Sequence, residues 1–242
     1  MKLMVLVCIH GRRNVTRIFY VGMNRLHREL AQLGVEMSMT VVFSDREDYV
    51  FATQTIHPEV PVNYVKARNN PVSEKHNTGF VSAMKHEWDA LMIMGSDDLI
   101  STAGVKNLCQ NIQSLDYCGY ESVYFHNSYS KEFREFRYKG NRLVGCGRML
   151  SRKACESLTY GSSYRLWDRH LDRGLDKNSS AILLRKGFKQ NVIDFPTCMM
   201  DIKSSHNITN YQNIIFLSET VSMDTATWFL SEDELSLMLG LC

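Results

Sequence analysis

The apolar positions of this chain fall into two alternating rhythms over its first hundred residues. "KLMVLVCI", residues 2–9, is an unbroken apolar run rich in β-branched residues and leucine, which predicts a strand buried on both faces of a parallel sheet. After the polar "HGRRN", apolar residues recur at Val15, Ile18, Phe19, Met23, Leu26, Leu30 and Leu33, a helical spacing that Gly34 stops. "MTVVFS" reads as a second strand, residues 46–55 as a short polar helix, and "VPVNYVKA" as a third strand. "PVSEKHNTGFVSAMKHE" then has helix-start residues at Pro71 and Ser73, and "DALMIMGSDD" is a fourth strand. Strands alternating with helices in this way predict an α/β fold with a doubly wound, mostly parallel sheet flanked by helices.

Beyond residue 100 the rhythm changes. A helix is expected from about Ser101 through Val105, Leu108 and Ile112. "ESVYFHN", "FREFRY" and "RLVGCGRML", the last two joined by the turn "KGN", predict a smaller region of mixed or antiparallel strands. Residues 164–186 read as one helix with Leu166, Leu171 and Leu175 facing the core. "NVIDF" and "CMMDI" suggest short strands, and Ser231 with Glu234 forms a capping box for a last helix. With no repeat of domain size and no low-complexity linker, one domain over residues 1–242 is expected.

Composition narrows the class. At 44% hydrophobic and 22% charged residues, the chain can bury a substantial core, which excludes a disordered protein. Its seven cysteines are odd in number and include no C-x-x-C pair, so neither a disulfide framework nor a zinc site is written here. Free thiols fit a reducing cytoplasm. The first apolar run is too short for a secretion signal and no stretch of about twenty apolar residues follows, so a cytoplasmic protein not embedded in a membrane is expected. The net charge of +2 conceals an asymmetry: residues 131–189 hold 15 Lys or Arg against 6 Asp or Glu. A basic sector of this kind suits a polyanionic partner, although charges spread over a solvated surface would read the same way.

The candidate chemistry begins where the fourth strand ends in Ser96, Asp97 and Asp98. Ligands of parallel α/β sheets bind beyond the carboxyl ends of the strands, and magnesium or manganese takes carboxylate oxygens together with substrate phosphates. Residues 96 and 98 of a strand point one way and 97 the other, which makes Asp98 the metal ligand and turns Asp97 toward substrate only as the strand ends. The competing reading is that Ser96 or Asp97 caps the next helix.

The N-terminal strand and its polar loop, the helix carrying "KHNTG" and the "GSDD" strand end together resemble the nucleotide-sugar-binding half of GT-A glycosyltransferases, especially the large inverting group called family 2. The resemblance covers residues 1–100 and leaves 101–242 as an acceptor-binding half. It implies a GT-A, Rossmann-like fold, a nucleoside-diphosphate sugar donor (a UDP-sugar first), Mn2+ or Mg2+, and transfer of the sugar to an acceptor hydroxyl. In that family a D-x-D motif holds the ribose and the metal; here Ser96 replaces its first acid, leaving Asp97 for the donor and Asp98 for the metal. His10, Arg12 and Arg13 lie where such enzymes contact the nucleobase, and Lys75 and Asn77 where they approach the nucleoside. "VGCGRMLSRKA" is similar to the acceptor-side segment, and "LWDRHLDRGLD" stands where the family presents its base, with Asp168 the match and Asp172 the less favoured choice. Asp168, Asp172 and Asp176 also alternate with Arg165, Arg169 and Arg173, as in a surface ion-pair ladder. In "DIKSSHNIT", Lys203 is placed to neutralise diphosphate and His206 to ligate the metal.

For the acceptor, the eight basic residues between Lys131 and Lys153, interleaved with Phe133, Phe136 and Tyr138, favour DNA bearing a hydroxymethylated base, as for bacteriophage DNA-modifying glycosyltransferases. An anionic glycan or lipopolysaccharide core would use basic residues equally well. A non-catalytic nucleic-acid-binding module is the reading from another class.

Overall fold

The computed structural model describes residues 1–140, 142–168, 170–204, 211 and 215–241. Strand β1 (Lys2–Cys8) is an interior strand of the larger sheet, with β2 (Glu36–Phe43), β3 (Val62–Lys66) and β4 (Ala90–Gly95) all parallel to it in the order β4-β1-β2-β3. Burial on both faces follows from the uninterrupted apolar run: Leu3, Val5 and Val7 pack with Phe19, Met23, Leu26 and Leu30 of helix α1 (Arg13–Ala31), while Met4 and Leu6 pack with Phe80 and Ala83 of α3 (Val72–Ala83). Each such side chain contributes about 1.5–3 kcal/mol of burial. The expected polar helix over 46–55 is a short α2 (Arg46–Val50) that runs on as a π-helical turn, Phe51–Ile56.

At the end of β4 the chain changes sheets. After the two-residue turn Ser96–Asp97 it enters β5 (Asp98–Ile100), which belongs to a second sheet ordered β14-β8-β7-β13-β5. Its other strands are β7 (Ser122–Asn127), β8 (Phe133–Arg137), β13 (Met199–Lys203) and β14 (Ser218–Val221). Helix α4 (Thr102–Ile112) follows β5 and is capped by Ser101, whose Oγ accepts from Gly104 N at 2.9 Å. Neither Ser96 nor Asp97 caps that helix.

The second half departs from expectation in two places. Of "RLVGCGRML" only β9 (Arg148–Ser151) is a strand, and it joins the larger sheet, antiparallel between β4 and β6 (Tyr117–Gly119). The short helix α5 (Arg152–Glu156) follows, then the hairpin β10 (Thr159–Tyr160) and β11 (Ser163–Tyr164). The helix expected over 164–186 is confined to α6 (Leu175–Arg185). Leu166 and Trp167 do not join it, because Asn77 Oδ1 accepts from both their backbone N–H groups, and Gly174 adopts a left-handed conformation at the start of α6. Beyond α6, β12 (Asn191–Val192) pairs with β6.

The C-terminal helix Glu232–Leu239 carries the expected capping box: Ser231 N donates to Glu234 Oε2 at 2.7 Å and Glu234 N to Ser231 Oγ at 3.2 Å. Glu234 is fully buried and receives Arg25 of α1 through Nε at 2.8 Å and Nη2 at 3.0 Å, and Arg25 also donates to Ile100 O. This pair ties the chain's last helix to α1 and to β5. Glu234→Ala should lower the unfolding free energy by about 3–5 kcal/mol by stranding a buried guanidinium, read as a lower urea midpoint; a change within the surface-substitution range of about 0.5 kcal/mol would show that the pair anchors nothing.

Candidate functional site

The crossover between sheets places carboxylates where neither sheet can solvate them fully. Asp98, the first residue of β5, lies opposite Asp201 of β13 in an antiparallel register, so both side chains leave the same face of the smaller sheet. One oxygen of Asp98 accepts from Gly95 N at 2.6 Å, which closes the turn. A Cβ at position 95 would lie 2.7 Å from Asp97 Oδ1 and 2.8 Å from Asp98 Oδ2, so a larger residue there would displace both carboxylates. Asp201 Oδ2 accepts from Lys203 Nζ at 2.5 Å, whereas Oδ1 is buried with no hydrogen-bond partner among the described residues. Burial, reinforced by Asp97 and Asp201, pushes the Asp98 carboxyl well above its ordinary value; burial pushes Asp201 up to about 6 against the opposing pull of Lys203. Two facing carboxylates with an orphaned oxygen fit an oxygen-preferring divalent cation.

These groups line a cavity of about 450 Å³. Asp97 and Lys203 also line it, and Arg12, from the loop after β1, donates to Asp97 Oδ2 at 2.5 Å and to Ser96 Oγ at 3.1 Å. Trp167, Leu175 and Asp176 line it too. Asp176 stands in the first turn of α6 with a largely exposed carboxylate, and its backbone carbonyl accepts from the buried Arg148 at 2.7 Å. Gly145 lets it in, since a Cβ there would meet Asp176 Oδ2 at 2.5 Å. One wall is apolar, formed by Val123, Phe125, Phe136 and Tyr138 on the face of the smaller sheet that also presents Asp98 and Asp201, together with Leu217.

The other expected site residues have local roles. Lys75 Nζ donates to Ile9 O at 2.7 Å and Asn69 Oδ1 at 3.1 Å, bracing the loop after β1. Asn77 clamps the backbone of Leu166 and Trp167 and so fixes the Trp167 wall. Arg13 pairs with Glu47 at the surface. His10 Nδ1 lies 3.4 Å from Asp45 and 3.7 Å from Asp48, and among the described residues these three form the one group with metal-type donor atoms within 4.8 Å of each other. Gly11 N donates to both Asp48 oxygens and Asp48 N to Asp45 Oδ1, so this cluster already organises its own turn. Asp168 is exposed and exchanges hydrogen bonds with Asn178, at 2.8 Å through its N and 2.6 Å through Oδ2, and Asp172 Oδ1 accepts from Val72 N. His206 lies outside the described residues.

Asp201 and Asp176 were not singled out from the sequence. Alternation within "CMMDIK" puts Asp201 on the face of Lys203, and Gly174 marks the helix start that Asp176 follows; both signals were present. Part of the basic sector is spent on the fold. Arg134 pairs with Glu132, Arg137 with Glu121, Arg152 with Glu156 and Lys153 with Asp116; Lys131 caps the last helix through Leu239 O, and Arg148 is buried. No helix among the described residues is long and apolar enough to cross a membrane.

Compared by sequence, no family model and no curated protein matches the chain. Compared by structure, it is similar to Staphylococcus aureus TarS 1–349 in complex with UDP-GlcNAc (TM-score 0.58, 11% identity, 86% of this chain and 60% of that one). It is also similar to the mannosyltransferase PcManGT from Pyrobaculum calidifontis in complex with GDP-Man and Mn2+ (TM-score 0.54, 11% identity, 83% of this chain and 56% of that one). The chain therefore spans less than two thirds of either neighbour. The likeness establishes the expected GT-A architecture.

The electrostatics of the crossover can be checked without substrate. Below the ordinary aspartate value of 3.8, Asp98 is protonated folded and unfolded alike, so Asp98→Asn and wild type should match. As pH rises the unfolded chain ionises freely while the folded site resists, so wild-type stability falls relative to the variant. In chelator the variant should therefore melt higher than wild type, by a margin that grows from about pH 4 to pH 7, and manganese should raise only the wild-type Tm. A variant less stable than wild type at neutral pH would mean Asp98 already has a compensating partner.

Proposed function

We propose that this chain is a glycosyltransferase that moves a sugar from a nucleoside-diphosphate sugar, a UDP-sugar first, to an acceptor hydroxyl. The observation that carries the reading is the Asp98–Asp201 pair, with its orphaned oxygen, lining the same cavity as Asp176 at the carboxyl edge of a GT-A sheet. Asp98 and Asp201 would hold Mn2+ or Mg2+, which when bound stabilises negative charge on the departing diphosphate. PcManGT in its complex with GDP-Man and Mn2+ shares the fold, which supports this assignment. Arg12 keeps Asp97 oriented at the cavity edge, and Lys203 adds positive charge beside Asp201.

The base we propose is Asp176. Its carboxylate takes the proton from the acceptor hydroxyl, the acceptor oxygen forms the new bond to the anomeric carbon, and the bond from that carbon to the diphosphate oxygen breaks, the diphosphate keeping the electron pair. Displacement in this single step inverts the anomeric centre. Asp168, the base expected from the sequence, has its carboxylate committed to Asn178, and the neighbouring Trp167 faces the cavity instead. For the acceptor, the reading retained is a hydroxymethylated base in DNA, supported by the aromatic wall rather than by the total charge of the basic sector.

Asp176→Asn should lower sugar transfer by about 10²- to 10⁴-fold while leaving nucleotide-sugar binding within about twofold, and Asp168→Asn should change turnover less than about threefold. The measurement is release of nucleoside diphosphate from a panel of UDP- and GDP-sugars with manganese. The reverse ranking would return the role to Asp168, and absence of release from every donor would favour the non-catalytic binding module.

A further inference from the structure

The cavity divides by chemistry. Its ionic end is carboxylate-rich, with Asp97, Asp98, Asp176 and Asp201, and its cations are already engaged: Lys203 is held by Asp201 and Arg12 by Asp97. No free side-chain cation lining that space among the described residues is left for a second phosphate beside a metal-held diphosphate. Beside the carboxylates runs a wall of rings that starts at Phe125, next to Asp201 and Lys203: Phe125 and Phe136 have centroids 6.1 Å apart, and Phe136 and Tyr138 meet edge to face at 4.7 Å. Tyr138 is 36% exposed, so part of its ring stands open at the cavity's rim.

Unspent cations lie just beyond that ring. Tyr138 lines the cavity, and so do Val144, Gly145 and Cys146, so the turn between them is anchored to the rim on both sides. Gly140, with φ +77°, reverses the chain there, and Arg142 N donates to Gly140 O at 2.8 Å. Lys139 and Arg142 are exposed on this turn, and neither side chain makes a hydrogen bond or ion pair with a described residue. They contrast with Arg134, Arg137, Arg148, Arg152 and Lys153, whose charges are held by the fold.

We infer that the acceptor is bipartite: a neutral planar ring stacks on Tyr138 and Phe136 inside the cavity, and a phosphate next to it in a polynucleotide strand is held outside by Lys139 and Arg142. Ring stacking is sequence-tolerant and phosphate contacts are electrostatic, which is how single-stranded nucleic acid is held. A duplex would have to release the reacting base first. The inference rests on the glycosyl-transfer reading for what happens to the bound ring, but not for the binding itself.

The test is binding of a fluorescein-labelled single-stranded oligonucleotide carrying one 5-hydroxymethylcytosine, followed by anisotropy across salt, beside competition by the uncharged nucleoside 5-hydroxymethyldeoxycytidine and by its 5′-monophosphate. Lys139→Ala with Arg142→Ala should weaken the oligonucleotide roughly tenfold at about 50 mM salt and reduce the salt slope by about 0.7, the contribution of one phosphate on a single strand, with the nucleoside unaffected. Tyr138→Ala should weaken nucleoside and oligonucleotide alike by about 5- to 100-fold, and Tyr138→Trp should restore both. The monophosphate separates the sources: if it competes as well as the oligonucleotide, a free nucleotide rather than a strand is the acceptor and the inference is overturned. Unchanged affinity and slope in the double variant, or unchanged binding in Tyr138→Ala, also overturns it. So does retention on phosphatidylglycerol vesicles that depends on Lys139 and Arg142 while the oligonucleotide is not held. An oligonucleotide bound as expected that accepts no sugar from any donor would overturn the transfer reading alone.

Discussion

Two aspartates that repel each other organise this protein. Asp98 and Asp201 face one another because the chain leaves the larger sheet at Gly95 and re-enters pairing in the smaller sheet three residues later, against β13. Backbone pairing forces the side chains together, and burial makes their shared charge costly. The site tolerates the conflict by three means visible in the geometry. Gly95 N donates to Asp98, Lys203 neutralises one oxygen of Asp201, and Arg12 withdraws Asp97 from the pair. What these leave uncompensated is one buried oxygen on Asp201. A structure with no use for that oxygen would be better served by an asparagine or an apolar residue at one of the two positions.

The surrounding elements serve the same corner. Lys75 pins the loop after β1, which carries Arg12; Asn77 pins the Leu166–Trp167 backbone, which forms one cavity wall; Arg148 holds the first turn of α6, which presents Asp176. Charged and polar residues that look like ligand contacts in the sequence thus act one step back, on the backbone that positions the contacts. The basic sector shows the same economy in part, since Arg134, Arg137, Arg148, Arg152 and Lys153 hold strands and helix ends together, whereas Lys139 and Arg142 on the turn at the cavity rim offer charge outward. The aromatic wall beside the carboxylates is a consequence of pairing as well: β7 and β8 place Val123 opposite Phe136, on the face that β13 shares through Asp201 and Phe125.

The elements with strong local signals were legible in the sequence. The buried run of β1, the apolar stripe of α1, the alternation of strands and helices through residue 95 and the Ser231–Glu234 capping box each follow from side-chain period or backbone chemistry confined to a few neighbouring residues. Where local signals failed, a distant partner had overridden them. Helical spacing over residues 164–186 was real, but Asn77 takes the N–H groups of Leu166 and Trp167, and the helix starts only after Gly174. β9 has the composition of a strand in either sheet, and only its pairing with β4 and β6 places it in the larger one.

Sequence by itself determined the class of fold, the presence of acidic oxygens at a strand end and the aromatic residues near a basic segment, because each is a property of chain-local pattern. Tertiary structure alone decided which carboxylates share a cavity and which cations remain unpaired. Asp201 lies more than a hundred residues from Asp98, and Asp176 is distinguished from Asp168 by eight residues and one glycine. Such choices are made by strand register and by long-range hydrogen bonds, which bring together groups whose separation along the chain carries no record of their meeting.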